Sequence, residues 1–146
     1  MYIVLVEDDH LQAEWVESCL DEAFEDLRVE RISTESGFYS WLQRDLDERP
    51  VVFIIDVMLR WADPSPVMAE MPPAVKENGF YRAGVRCQKE IANDERLRDV
   101  PVILYTVLED LDLEEVLRQK DPNVAYLRKD SLAEPLIRTI RQYTRR

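Results

Sequence analysis

The sequence predicts an open α/β fold, a doubly wound and mostly parallel five-stranded sheet with helices on both faces. Three observations predict it. Five short runs rich in β-branched and apolar residues recur, at 3–6, 29–33, 51–55, 102–105 and 124–127. Segments of helical period separate them, and strand–helix alternation of this kind builds parallel sheets. The third run, Val51-Val52-Phe53-Ile54-Ile55, does not alternate, as expected of a strand covered on both faces. Right-handed crossovers leave few ways to join such units, and the strand order 2-1-3-4-5 is a common one.

Each intervening segment carries its own signal. In the first, Leu11, Trp15, Cys19, Ala23 and Leu27 follow one another at i, i+4 steps, with Glu14, Glu17, Asp21 and Glu22 on other faces. Phe38, Trp41, Leu42 and Leu46 mark the second helix. Ser131-Leu132-Ala133-Glu134 reads as a capping box opening a last helix, carried by Leu132, Leu136, Ile137 and Ile140. Pro135 falls in its first turn, where a missing N–H costs little. One stretch breaks the rhythm. Residues 61–81 hold Pro64, Pro66, Pro72 and Pro73 without a clean period, and read as an unusually long loop inserted before the third helix. Residues 1–146 are otherwise expected to form one domain.

Composition narrows the function. The 46% hydrophobic content suits a globular chain. No apolar run approaches the roughly 20 residues that span a bilayer, and the opening Met1-Tyr2-Ile3-Val4-Leu5-Val6 lacks the basic lead-in of a signal peptide. A cytoplasmic location is expected. A net charge of −11 argues against nucleic acid or an anionic membrane as partner. Arg138, Arg141, Arg145 and Arg146 are a local exception, which complementing a helix dipole explains. Cys19 and Cys87 have neither disulfide nor zinc spacing and are expected as reduced thiols.

In open α/β sheets, ligands bind beyond the carboxyl ends of the strands, where the strand order reverses. Glu7, Asp8 and Asp9 follow the first run, Asp56 the third and Thr106 the fourth, while Lys129 trails the fifth. The order 2-1-3-4-5 makes the first and third strands neighbours, so Glu7, Asp8 and Asp56 converge. Crowded carboxylates need a proton or a cation to relieve them. An all-oxygen cluster suits Mg²⁺. Asp56 then stands as a nucleophile toward phosphorus, with Lys129 and Thr106 positioned to meet phosphoryl oxygens. Taken singly, each residue fits a plainer role: Asp9 as a helix N-cap, His10 as a solvated surface residue. Four such residues at successive strand ends carry the chemical reading.

Val4-Leu5-Val6-Glu7-Asp8-Asp9, Ile54-Ile55-Asp56-Val57-Met58-Leu59, Pro101-Val102-Ile103-Leu104-Tyr105-Thr106 and Tyr126-Leu127-Arg128-Lys129 together resemble the response-regulator receiver family of two-component phosphorelay systems. The resemblance spans nearly the whole chain apart from the long loop, and implies a flavodoxin-like sheet. It implies that Asp56 is phosphorylated and that Glu7, Asp8, Asp56 and the Met58 backbone carbonyl hold Mg²⁺. Thr106 and Lys129 would contact the phosphoryl group, with Thr106 and Tyr126 forming the switch. The implied partners are a sensor histidine kinase or phosphotransfer protein upstream and an effector protein downstream, and a homodimer is compatible with this reading.

The chain departs from the family at four points. Asp130 follows Lys129 where a cis proline is usual; a cis bond without proline costs roughly 3–4 kcal/mol, so a trans bond is expected. Val107 replaces a small residue, and Arg60 stands where a proline is usual. Gly84, which resembles the glycine opening the third helix, lies much farther beyond Asp56 than in the family. Met58 and Leu108 flank the site and cannot usefully bind an attacking water, so slow self-dephosphorylation is expected. Met58 also fills the position where an aspartyl-phosphate phosphatase would carry its second acid, so no enzyme turning over phosphate esters is expected. The alternative is a degenerate receiver that binds protein without phosphorylation.

Overall fold

The computed structural model describes residues 1–64, 70–107 and 121–145. Five strands, β1 Tyr2–Val6, β2 Arg28–Ile32, β3 Val52–Ile55, β4 Val102–Thr106 and β5 Val124–Arg128, form one sheet in the order β2-β1-β3-β4-β5, and every pairing is parallel. The doubly wound flavodoxin-like topology read from the sequence is therefore the one found. β1, β3 and β4 are buried along their whole length, whereas the edge strands β2 and β5 are partly exposed. Burial on both faces accounts for the unbroken apolar run in β3, and Arg28, Glu30 and Arg31 keep β2 from recruiting another strand.

Successive side chains of each strand serve opposite faces. Ile3, Leu5, Val52, Ile54, Ile103 and Tyr105 pack with Ala13, Val16 and Leu20 of helix α1 (His10–Ala23) and Leu136 and Ile140 of helix α5 (Glu134–Thr144). On the other face Val4, Val6, Phe53 and Ile55 meet Phe38 and Trp41 of α2 (Glu35–Leu42) and Cys87 and Ile91 of α4 (Ala83–Asn93). Cys19 and Cys87 are free thiols, as expected.

Three local expectations are corrected. The buried stripe of α1 is Ala13, Val16 and Leu20; of the i+4 series Trp15 and Leu27 pack against that core half-buried, and Leu11 is 75% exposed. Each i+4 step advances the helical angle about 40° past a full turn, so a long i+4 series drifts off the buried face. The capping box does not form. Asp130 Oδ1 takes both the N–H and the hydroxyl of Ser131, and α5 starts at Glu134 behind Ala133, with no side-chain cap and with Leu132 outside the helix and exposed. Finally, 61–81 is more than a loop. It contains helix α3 (Pro73–Asn78), and a 3-10 turn, Phe80–Arg82, leads out of it. Proline at the helix start and Gly79 at its end, with φ 65°, supply the signals that delimit α3, and Val75 and Trp61 are buried. Leu108 and the helix expected between β4 and β5 lie outside the described residues.

Candidate functional site

The parallel register sets up the site. Val6 pairs with Ile55, so Glu7 and Asp56 leave adjacent strands side by side at the carboxyl edge. Backbone bonds hold them there: Glu7 N–H donates to Ile32 at 3.0 Å and Asp56 N–H to Val6 at 2.9 Å. Asp9 is the N-cap of α1, its Oδ1 accepting from Leu11 (3.0 Å) and Gln12 (3.1 Å). That cap fixes the turn from which Asp8 reaches the edge.

Carboxylate oxygens of Glu7, Asp8 and Asp56 lie within 4.8 Å of one another. Glu7 and Asp56 are buried and Asp8 half-buried. Lys129 Nζ reaches this cluster, donating to Glu7 Oε1 and, at 2.8 Å, to Asp56 Oδ2. Its backbone N–H donates to the Thr106 carbonyl at 2.7 Å, which joins the end of β5 to the end of β4. Burial first, and the Asp56 charge second, push the Glu7 carboxyl up to about 8, with Lys129 opposing them. Burial pulls Lys129 down, but Asp56 and Glu7 outweigh it and hold the ammonium above its ordinary range. Lys129 inside the cluster and the Arg60 guanidinium at its outer edge, 3.7 Å from Asp8, are two cations against three carboxylates, which leaves negative charge uncompensated. An all-oxygen donor set with that excess fits a hard divalent cation such as Mg²⁺.

The loop after β3 is built around the same residues. Met58 N–H donates to Asp56 Oδ1 at 3.1 Å, and Arg60 N–H to Asp8 Oδ2 at 3.1 Å. The carbonyls of Arg60 and Trp61 in turn accept from Glu35 (2.9 Å) and Ser36 (2.8 Å) in the first turn of α2. Gly84 seals the underside. A Cβ there would lie 2.2 Å from the Asp56 carbonyl oxygen, and the Gly84 N–H donates to Val57 at 2.9 Å. Only glycine lets α4 approach this closely.

The structure brings Glu7, Asp8, Asp56 and Lys129 together. Thr106 is fully buried at the end of β4, and Tyr126 is partly buried in β5 against the α2–α4 core. His10 is a surface residue paired with Glu14 at 3.1 Å. Val107, just beyond β4, is 60% exposed. No described peptide bond is cis, including Lys129–Asp130. Missed entirely was the fully buried Glu35, whose carboxylate takes a bidentate bond from Arg86 (2.7 and 2.8 Å) and the Tyr39 hydroxyl (2.8 Å). Arg86 also donates to the Gly79 carbonyl at 2.9 Å, tying α2, α4 and the end of α3 together.

No protein-family model matches the sequence, and no curated protein matches it. Solved structures do. The receiver domain of the sensor histidine kinase PA1611 from Pseudomonas aeruginosa PAO1, with a magnesium ion coordinated in its active-site cleft, is similar at 22% identity and a TM-score of 0.68, over 99% of this chain and 98% of that one. The signal receiver domain of a histidine kinase from Syntrophus aciditrophicus gives 22% and 0.68, over 97% and 88%. That of a DNA-binding response regulator from Colwellia psychrerythraea 34H gives 17% and 0.70, over 100% and 99%. The chain has the fold of response-regulator receiver domains.

Proposed function

We propose that this chain is a phospho-accepting receiver of a two-component pathway, with Asp56 as the acceptor. The observation that carries the reading is the meeting of Glu7, Asp8 and Asp56 within 4.8 Å at the carboxyl edge of β1 and β3, with Lys129 bonded to Asp56. Glu7, Asp8, Asp56 and the Met58 backbone carbonyl are the residues that would hold Mg²⁺. When bound, the ion supplies positive charge to the phosphoryl oxygens.

An Asp56 carboxylate oxygen attacks phosphorus, the bond to the donor's leaving group breaks, and an acyl phosphate forms. Most of what such a transfer requires is positioning and charge neutralisation. The Met58 N–H holds Asp56 Oδ1, which fixes the direction of the carboxylate. Lys129 carries a full charge to the phosphoryl oxygens, and the Thr106 hydroxyl can donate to another. Thr106 and Tyr126 then act as the switch, one near the chemistry and the other on the neighbouring strand. The phosphoryl group comes from a sensor histidine kinase or phosphotransfer protein, and the output passes to an effector by protein contact. Residues 1–146 form one such unit, with 61–81 as an insertion. Among the described residues no helix is long and apolar enough to cross a membrane, which supports a cytoplasmic assignment.

Incubation with acetyl phosphate and Mg²⁺ followed by intact mass tests the reading. Wild type gains one phosphoryl group and Asp56→Asn gains none. A mass gain that survives the substitution refutes the site, and no gain from any donor, a cognate kinase included, favours a phosphorylation-independent binding module.

A further inference from the structure

Asp8 is the half-buried, outermost member of the carboxylate cluster, and Arg60 holds it twice. Its backbone N–H donates to Asp8 Oδ2 at 3.1 Å, and its Nε lies 3.7 Å from the same oxygen. A proline at this position would have neither N–H nor charge to offer. The Arg60 backbone is itself fixed, because its carbonyl accepts from Glu35 at 2.9 Å and the Glu35 side chain is anchored by Arg86. The guanidinium is therefore kept beside one edge of the acidic cluster, while Lys129 serves the other edge through Glu7 and Asp56.

We infer that Arg60 is a positioning residue whose guanidinium competes with a divalent cation for Asp8 Oδ2 and so sets the cation affinity of the site. The inference rests on the reading of Glu7, Asp8 and Asp56 as cation ligands. A cation that draws on Asp8 must displace the guanidinium or tolerate a like charge beside it. The Arg60 side chain is 46% exposed and that of Asp8 25%, so the pair is weak enough to yield. Exposed pairs of this kind contribute at most about a fivefold effect on an equilibrium. The backbone N–H bond to Asp8 survives any substitution except proline, so the side chain can be tested alone.

The test is calorimetric titration of Mg²⁺ into the full chain. Arg60→Ala and the longer neutral Arg60→Gln should each bind about two- to fivefold more tightly than wild type, while Arg60→Lys restores wild-type affinity. Arg44→Ala removes a charge elsewhere, on a residue paired with Glu30, and should change the affinity less. Raising the salt to about 1 M should shrink the gap between Arg60→Ala and wild type, because the competing charge is screened. A purely structural role for Arg60 would not respond to salt in this way. Affinity lost in Asp8→Ala but unchanged in both neutral Arg60 variants leaves the cation site standing and overturns the inference, as does an equal gain in Arg44→Ala. No Mg²⁺ binding by wild type overturns both.

Discussion

Gly84→Ala sets two physical effects of opposite sign against each other. Alanine is the better helix former, and in a free helical position the change would stabilise by about 1 kcal/mol. At Gly84 the added methyl would sit 2.2 Å from the Asp56 carbonyl oxygen and 2.7 Å from Val57 Cα, whereas ordinary contact starts near 3.4 Å. These neighbours are backbone and cannot rotate away, so either α4 or the loop after β3 must retreat by more than 1 Å. Overpacking of this severity costs roughly 1–3 kcal/mol or more, which exceeds the propensity gain. A net loss of about 2 kcal/mol lowers Tm by roughly 4–8 °C in a chain of this size. The displaced atoms include the backbone of the proposed acceptor, so phosphoryl loading of Asp56 should also slow. Thermal and urea melts, together with the acetyl phosphate assay, measure both consequences. A stabilised Gly84→Ala protein with unimpaired loading would refute the close-approach argument.

The buried Glu35–Arg86 pair should resemble other buried pairs broken on one side: Arg86→Met leaves the fully buried Glu35 charge uncompensated and costs about 3–5 kcal/mol. The double variant with Glu35→Gln should recover part of that loss, and urea melts completing a double-mutant cycle measure the coupling; strictly additive losses would argue against the pair. The Tyr39 phenol is held above its ordinary range by burial first and by its bond to Glu35 second. Folded chains then keep a proton that unfolded chains release as pH passes about 10, so stability falls with rising pH there. Tyr39→Phe should lose that component of the alkaline decline, and parallel pH series of melts would reveal equal slopes if the assignment is wrong.

The sheet was legible because its information is local. An unbroken run such as 51–55 identifies a strand covered on both faces whatever surrounds it, and strand order plus register then decides which strand-end residues meet. Glu7, Asp8, Asp56 and Lys129 were found by that route. The errors arose where a local pattern has two outcomes. The i+4 series in α1 and the Ser131–Glu134 box both exist in the sequence, but helical drift defeats the first and the neighbouring Asp130 captures the donors of the second. The proline-to-Gly79 signature of α3 is present in the sequence, but it sits in a stretch with no clean helical period. Arg86 and Glu35 are 51 positions apart. No local pattern joins them, and only the packing of α2 against α4 does. The same holds for Arg60 and Asp8, whose bond depends on the path of the loop after β3.

Charge counting indicates how chemistry at Asp56, as proposed, would reach the rest of the molecule. Lys129 now divides its ammonium between Glu7 and Asp56, while burial and the Asp56 charge push the Glu7 carboxyl up. A phosphoryl group on Asp56 would replace one negative charge by about two and carry them outward, beyond the present position of the carboxylate. Lys129 would then follow the charge and loosen its hold on Glu7. Its backbone is tied at 2.7 Å to the Thr106 carbonyl, so that displacement would load the junction of β4 and β5, on whose outer strand Tyr126 is only partly buried. β5 is the edge strand best able to yield, since β4 is buried along its length and β5 is not. Phosphorylation should therefore shift a population at β5 before it disturbs β1 or β3. Amide exchange compared before and after loading should change in 124–128 and stay constant in 52–55. Unchanged protection in β5 of a chain shown by mass to be phosphorylated would remove this route from Asp56 to the surface.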